Sequence, residues 1–450
     1  MDNQLTKYKP GSVRELLVIA WPLIISSGAN MIMILADRMV VAKYSNAAFQ
    51  SMAGTVSWWW TIYFTALNIS LIADVFVGRF NGSKNYKKIG PAVWQMIWFA
   101  VILFPIMVVF AIWVAPHLLA ENLRQLGLPY MRILLIAIPI PIAAMGALGS
   151  FFTGRGKTKI ILYVSIICNV INILLDIALV FGLGPFPELG IIGAGIATVS
   201  AQIIELLLFS AIVFCGKNDV KYGIFDFRFD QKLFLESLKI GLPNAIDCFI
   251  GGSLWSFVIQ LAAINVSSED FTILFMTQTC YVTAYFMIEG IGQGVGIITS
   301  NAYGAKNWDM IRKNTSSWRR LAAVTGALSF VIMVAYPNPI ISIICPTDID
   351  TSGNLLPQAL FTMWIWLLAD AHAFNLRMNL TAFGDTRFTM AINPLCFAIF
   401  CVLPSYIGLR FFHNILCIGI SGACAYFIFS VICFFRLRKQ LAQMQRLCET

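Results

Sequence analysis

The sequence predicts an all-α membrane protein: twelve transmembrane helices in two pseudo-symmetric six-helix bundles. Three observations carry this reading. The 450-residue chain is 59% hydrophobic and 12% charged, with a mean hydropathy of +0.78; a soluble domain is about 45–50% apolar and about 25% charged. The apolar residues collect in twelve stretches, each near the ~20 residues a helix needs to cross a bilayer. The second half of the chain also repeats the first. A soluble globular protein, a disordered chain and a nucleic-acid-binding domain are excluded. The net charge of +9 reflects scarce acids and Lys/Arg in short loops, not a basic patch.

Taken in order, the stretches run roughly over 15–42, 52–78, 91–117, 130–153, 160–183, 190–214, 235–264, 270–300, 317–345, 357–383, 388–409 and 416–435. They divide into an N-terminal lobe (1–215), a cytoplasmic linker (216–234) and a C-terminal lobe (235–450) with a short basic tail. The alternation Phe225-Asp226-Phe227-Arg228-Phe229 in the linker fits a short strand or a solvated loop equally well. With the N-terminus inside, the outer loops hold only Lys43, Arg124, Arg132 and Arg410, and the inner segments hold most of the other cations. Both termini are therefore expected in the cytoplasm, and a bacterial inner membrane suits the composition. Met1–Arg14 does not read as a signal peptide. The cysteines, such as Cys168, Cys248, Cys280, Cys401, Cys424 and Cys433, sit singly in apolar runs and read as small helix residues rather than disulfides or zinc ligands.

The repeat is visible in matched pieces. Glu15-Leu-Leu-Val-Ile-Ala-Trp-Pro22 matches Glu236-Ser-Leu-Lys-Ile-Gly-Leu-Pro243, and Asn81-Gly-Ser-Lys-Asn85 matches Tyr303-Gly-Ala-Lys-Asn307. Gly156-Lys157-Thr158 matches Gly384-Asp385-Thr386, and Gly190-Ile-Ile-Gly-Ala194 matches Gly419-Ile-Ser-Gly-Ala423. The offset drifts in one direction, from 221 to 229. Six spans per half give parallel repeats, with a cavity expected between the bundles, which favours a transporter over a channel or membrane enzyme.

The order and spacing of these pieces, with Asp37, Asn172-Ile-Leu-Leu-Asp176, Gly193-Ala-Gly-Ile-Ala-Thr198, Gly241-Leu-Pro243 and Asp370 before Asp385-Thr386, resemble the multidrug and toxic compound extrusion (MATE) family over nearly the whole chain. The resemblance implies a two-lobe fold and an exporter of cationic, amphipathic compounds driven by protons or sodium. It also implies that Asp37, Asn172 and Asp176 line an N-lobe cation and drug site, and that Asp370 contributes to a C-lobe cation site, as in the NorM-type branch. That branch carries a Glu in helix 7 where this chain has Gly251-Gly252, with Asp247 nearby but out of register. The N-lobe pattern is thus closer to the DinF-type branch.

The residues support the same site. An ionised side chain at membrane depth costs about 2.5–3.5 kcal/mol on insertion scales, so such groups are functional candidates. Asn169, Asn172 and Asp176 fall at i, i+3 and i+7 on one face of helix 5. If helix 1 lies beside it, Asp37 joins them, and the oxygens suit a shared proton or a Na+ ion at Asp37, Asn172 and Asp176. Thr198 on helix 6 is added to the set. Under the local offsets Asp37, Asn172 and Asp176 correspond to Val258, Phe400 and Pro404, and Asp370 to Ile142, so the scaffold is duplicated but its acids are not. Pro22, lacking an N–H, can let helix 1 bend.

Secondary candidates are Arg38, Asp74, Asp247, Glu289, His372 and Arg377, with Glu205 beside them. An Arg38–Asp74 ion pair is expected to neutralise both. His372 reads as a buried neutral residue ahead of a proton relay to Asp370. The Trp58-Trp59-Trp60 run reads mainly as interfacial or lipid-facing. Gly154-Arg-Gly156-Lys157-Thr158 ends like a P-loop but lacks its first glycine and its strand, so nucleotide hydrolysis is rejected. The expected activity is antiport coupled to H+ ahead of Na+, by a monomer, with a small-molecule substrate, membrane lipids as surroundings, and no further cofactor, structural metal or nucleic acid. The competing reading is a same-fold carrier of an anionic metabolite or lipid-linked substrate, bound through Arg38 or Arg377.

Overall fold

The computed structural model describes residues 5–119, 121–215, 219–336 and 355–449. Among the described residues, twelve helical segments are long and apolar enough to span a membrane. They are α1 (Val13–Tyr44), α2 (Trp58–Gly82), α3 (Tyr86–Leu118), α4 (Arg124–Thr153), α5 (Thr158–Phe181), α6 (Ile191–Phe214), α7 (Gln231–Ala262), α8 (Glu269–Gly304), α9 (Trp308–Ala335), α10 (Leu355–Phe383), α11 (Thr386–Phe412) and α12 (Leu416–Gln443). The chain is an all-α, multi-pass integral membrane protein. In α9 the helix begins nine residues before the expected apolar stretch. Its start is set by a cap, Asn307 accepting from the Met310 N–H at 3.1 Å, rather than by hydropathy. The expected end of that stretch, 337–345, lies outside the described residues.

The helices form two compact units, Ile25–Ala245, and Met1–Ile24 with Ile246–Thr450. Each division falls inside a continuous helix, two residues after Pro22 in α1 and two residues after Pro243 in α7. Small residues bring these helix halves close to their unit. Gly290 and Gly294 of α8 face Ile24, Ala20 and Leu16, and Gly241 of α7 faces the backbone of Ile69.

The repeat extends to local geometry. Lys84 and Lys306 both take positive φ, 61° and 53°, and the following Asn N–H bonds five residues back, Asn85 to Phe80 and Asn307 to Ala302, at 2.9 Å each. The Gly156 and Gly384 turns are closer still. Both glycines have positive φ, 73° and 80°, both N–H groups reach back three residues at 2.8 Å, and Lys157 and Asp385 follow with φ/ψ of −88°/48° and −88°/45°.

In the first unit Val41 of α1, Ala111 of α3, Met131, Leu135 and Ile142 of α4 and Val180 of α5 belong to one buried core. Trp59 belongs to it. It is 8% exposed and donates its indole N–H to the Leu134 carbonyl at 3.3 Å. The lipid-facing reading therefore holds for Trp58, 44% exposed, but not for Trp59. Gly193 rests on α5, where a Cβ would come within 2.6 Å of the Leu179 carbonyl oxygen. A Gly193→Val variant is expected to push α5 and α6 apart and destabilise by about 1–3 kcal/mol. A thermal melt of the detergent-purified protein reads this, and an unchanged midpoint contradicts it.

The linker pairs with no strand among the described residues. After a helical turn at Asp219–Tyr222 its backbone is held by side chains of α3. The Trp94 and Trp98 indoles donate to the carbonyls of Ile224 and Phe227, at 2.6 and 3.0 Å. Gln95 donates to Arg228 and accepts from the Asp230 N–H, at 3.2 and 3.1 Å.

Candidate functional site

Helix α5 is polar inward and apolar outward. Asn169, Asn172 and Asp176 are buried, whereas Val170, Leu174 and Ile177 on its other faces are exposed. In α1, Asn30 and Asp37 are seven residues apart, two helical turns on one face. The two faces meet. Asn30 Oδ1 accepts from Ser165 Oγ at 3.0 Å and from Asn169 Nδ2 at 2.9 Å. Deeper along the pair, the Asp37 and Asp176 carboxyl groups face each other within hydrogen-bonding range, with Tyr130 of α4 in their field. Asp37 is 8% and Asp176 1% exposed.

Two carboxylates have no donor to offer each other. Asp176 has no hydrogen-bonded partner on either oxygen, Asp37 none on Oδ1, and Asn172, fully buried, none on either polar atom. Each such group costs about 1–3 kcal/mol. One proton held between the carboxyls supplies the missing donor, and a hard cation would serve the same oxygens. Thr198 donates to its own helix, to the Ala194 carbonyl at 3.0 Å. Asn30 and Tyr130 complete this pocket without having been singled out in the sequence. The spacing of Asn30 from Asp37 was the signal available.

The second unit holds another buried polar cluster. Asp370 of α10 accepts from the Tyr281 hydroxyl of α8. Asp247 of α7, 1% exposed, accepts from Asn393 of α11 at 2.8 Å and pairs with Arg377 of α10 at 3.6 Å. Glu289 accepts from Gln293 at 3.3 Å and lies in the field of Arg377. His372 has Arg319 as its charged neighbour rather than the Asp370 carboxylate.

The expected Arg38–Asp74 pair does not form. Asp74 instead accepts from Thr153, with Ser150 also in range, both on α4. Arg38 is exposed and stays in the field of Asp37. The reason is geometric. Hydroxyls one turn apart on α4 reach Asp74 directly and leave it no need of a cation.

Comparison with known proteins fits this architecture. The "Probable multidrug resistance protein NorM" of Thermotoga maritima is 21% identical, covering 94% of this chain and 90% of its own. The "Probable multidrug resistance protein YoeA" of Bacillus subtilis is 22% identical, covering 80% of each chain. Among solved structures, MATE in the straight conformation superposes with a TM-score of 0.88 at 16% identity over 99% of both chains. A MOP superfamily transporter from Pyrococcus furiosus, described as having a binding pocket of reverse polarity that suggests a different function, gives 0.85 at 16% over the same shares. The MatE family pattern matches residues 22–178 and 249–407, one block in each half and most of the chain, so the duplicated helices and their acids have a family: the chain belongs to MatE.

Proposed function

We propose that the protein is an antiporter exporting organic cationic and amphipathic compounds by alternating access, with H+, ahead of Na+, as the coupling ion. The observation that carries this is the Asp37–Asp176 pair, buried face to face with Asn172 unpartnered beside it. A proton and an organic cation compete for that one negative charge, so loading either expels the other. Only binding that differs between inward- and outward-open states can drive the cycle, and Pro22 and Pro243, where α1 and α7 divide between units, are the points where bending would do so. Asn169 orders the α1–α5 contact through Asn30. Thr198 of α6 joins the substrate-binding set, and Asp370 serves as a second protonatable carboxyl. Glu205 on α6, in the field of Tyr63, which stacks on Trp59 at 4.9 Å, offers an acid with an aromatic wall for an organic cation.

The names of the multidrug-resistance relatives support export, and the concentration of unpaired acids in the first half supports the DinF-type pattern. The protein would act as a monomer with both termini in the cytoplasm of a bacterial inner membrane. For the anionic-substrate alternative, Arg377 is already engaged by Asp247, which leaves Arg38 as its remaining anion ligand. The test is uptake of a fluorescent organic cation into inside-out vesicles, with proton and sodium gradients imposed separately. Accumulation driven by the proton gradient is expected. Accumulation under sodium alone reassigns the ion, and none under either, with folded protein present, rejects the proposal.

A further inference from the structure

Beyond the transport pocket, the turn before α5 gathers positive charge. Arg155 is 6% exposed, and its guanidinium lies 3.6 Å from the Phe151 ring centre and 4.5 Å from that of Tyr222 in the linker. Nε donates to the Phe151 carbonyl, while Nη1 is buried with no hydrogen-bonded partner. The Lys221 ammonium lies 4.6 Å from the Tyr86 ring centre and 5.5 Å from that of Tyr222. Lys157 is the N-cap of the 24-residue α5 and offers no side-chain cap to its first N–H groups, of which that of Ile160 turns back to the Lys157 carbonyl at 3.2 Å.

The groups feel each other. Burial, then Arg155 and Lys221, hold the Lys157 ammonium below its ordinary value. Burial alone would raise the Tyr222 phenol, yet Arg155, Lys221 and Lys157 bring it down. Among the described residues no carboxylate pairs with any of the three cations; the ion pairs there are Arg377–Asp247 and Arg436–Asp385.

The second half of the chain is the control. Its matching turn has the same backbone, but Asp385 stands where Lys157 does and binds Arg436 at 2.7 Å and Gln440. The second half neutralises its cation internally. The first half, with Lys157 in that place, does not. Arg155 is buried with an unpartnered Nη1, and Lys157 and Lys221 are exposed. A buried cation without a carboxylate calls for a counter-anion, and a basic pocket at the membrane interface fits the phosphate of an anionic headgroup.

We propose that Arg155, Lys157, Lys221 and the uncapped N-terminus of α5 form a phosphate-binding site occupied by the headgroup of an anionic phospholipid, which fastens the linker turn at Tyr222 to the first unit. The bare N–H groups and Lys157 hold the phosphate oxygens, Lys221 closes over them, and Arg155 supplies charge from beneath.

The experiment uses full-length protein delipidated in a neutral detergent, with phosphatidylglycerol, phosphatidylethanolamine or inorganic phosphate added. Thermal midpoint and lipid retained in native mass spectrometry are read. Phosphatidylglycerol is expected to raise the midpoint of the wild type and to stay bound, whereas phosphatidylethanolamine is not. Lys157→Gln/Lys221→Gln should weaken its binding about thirtyfold, and Arg438→Gln/Lys439→Gln, a basic pair on α12, should not. Lys157→Asp, which copies the second-half turn, should raise the lipid-free midpoint and abolish the lipid response. An equal response to inorganic phosphate keeps the site and makes its ligand a free anion. Equal loss in the α12 variant, or an undiminished response in Lys157→Asp, overturns the proposal.

Discussion

Replacing either partner of the carboxyl pair, Asp37→Asn or Asp176→Asn, is expected to abolish gradient-driven accumulation while leaving a folded protein. Exchange of one proton for one monovalent cation moves no net charge, so the pH gradient drives accumulation, about tenfold per pH unit imposed, and loss of coupling takes that ratio to about one. The fold should tolerate the change for a reason visible in the pocket. Asp37 and Asp176 as carboxylates lack a donor between them, and an amide Nδ2 supplies one. The thermal midpoint of either variant should therefore hold or rise. An Ala at the same place removes an acceptor and adds a void, and should do worse. Size-exclusion profile, thermal melt and vesicle accumulation, measured on the same preparations, separate the effects. Wild-type accumulation in both Asn variants would remove the pair from the mechanism.

The site residues differ in how far the sequence exposes them. Asn169, Asn172 and Asp176 stand out because polar groups at helical spacing are conspicuous in an apolar run, and the repeat, lacking them in its second half, marks them further. Asn30 is as well placed, but a lone amide in a membrane helix has many bland explanations. Asp247 and Arg377 lie 130 positions apart in the chain, and nothing in one helix tells which face of another it meets. Their pairing belongs to tertiary packing. Asp74 shows the same limit from the other side. An acid in an apolar helix points to a partner cation, yet two small hydroxyls on α4 suffice. Residue type misled at Trp59, since an indole reads as interfacial until Leu134 is seen to accept its N–H. The twelve helices were legible because bilayer thickness fixes their length, whereas the start of α9 was not, because a capping Asn extends that helix beyond its apolar part.

The pairing of Asp247 with Arg377 leads to the second large effect. Asp247→Ala is expected to destabilise by about 3–5 kcal/mol, because it strands a cation whose Nε already has no partner. It also leaves Asn393 without the acceptor it reaches at 2.8 Å. Arg377→Leu should cost less. It frees Asp247 from its cation, but Asn393 still donates to the carboxylate, and a carboxyl group can take up a proton where a guanidinium cannot lose one. The double variant Asp247→Ala/Arg377→Leu removes both charges and should recover most of the loss. Thermal melts of the four proteins give the coupling as the departure from additivity. A value near zero means that the 3.6 Å approach is geometric proximity without energetic consequence. A large one shows that α7 and α10 are locked by a tethered cation in the second unit, whereas in the first the Asp176 oxygens and Asp37 Oδ1 have no partner.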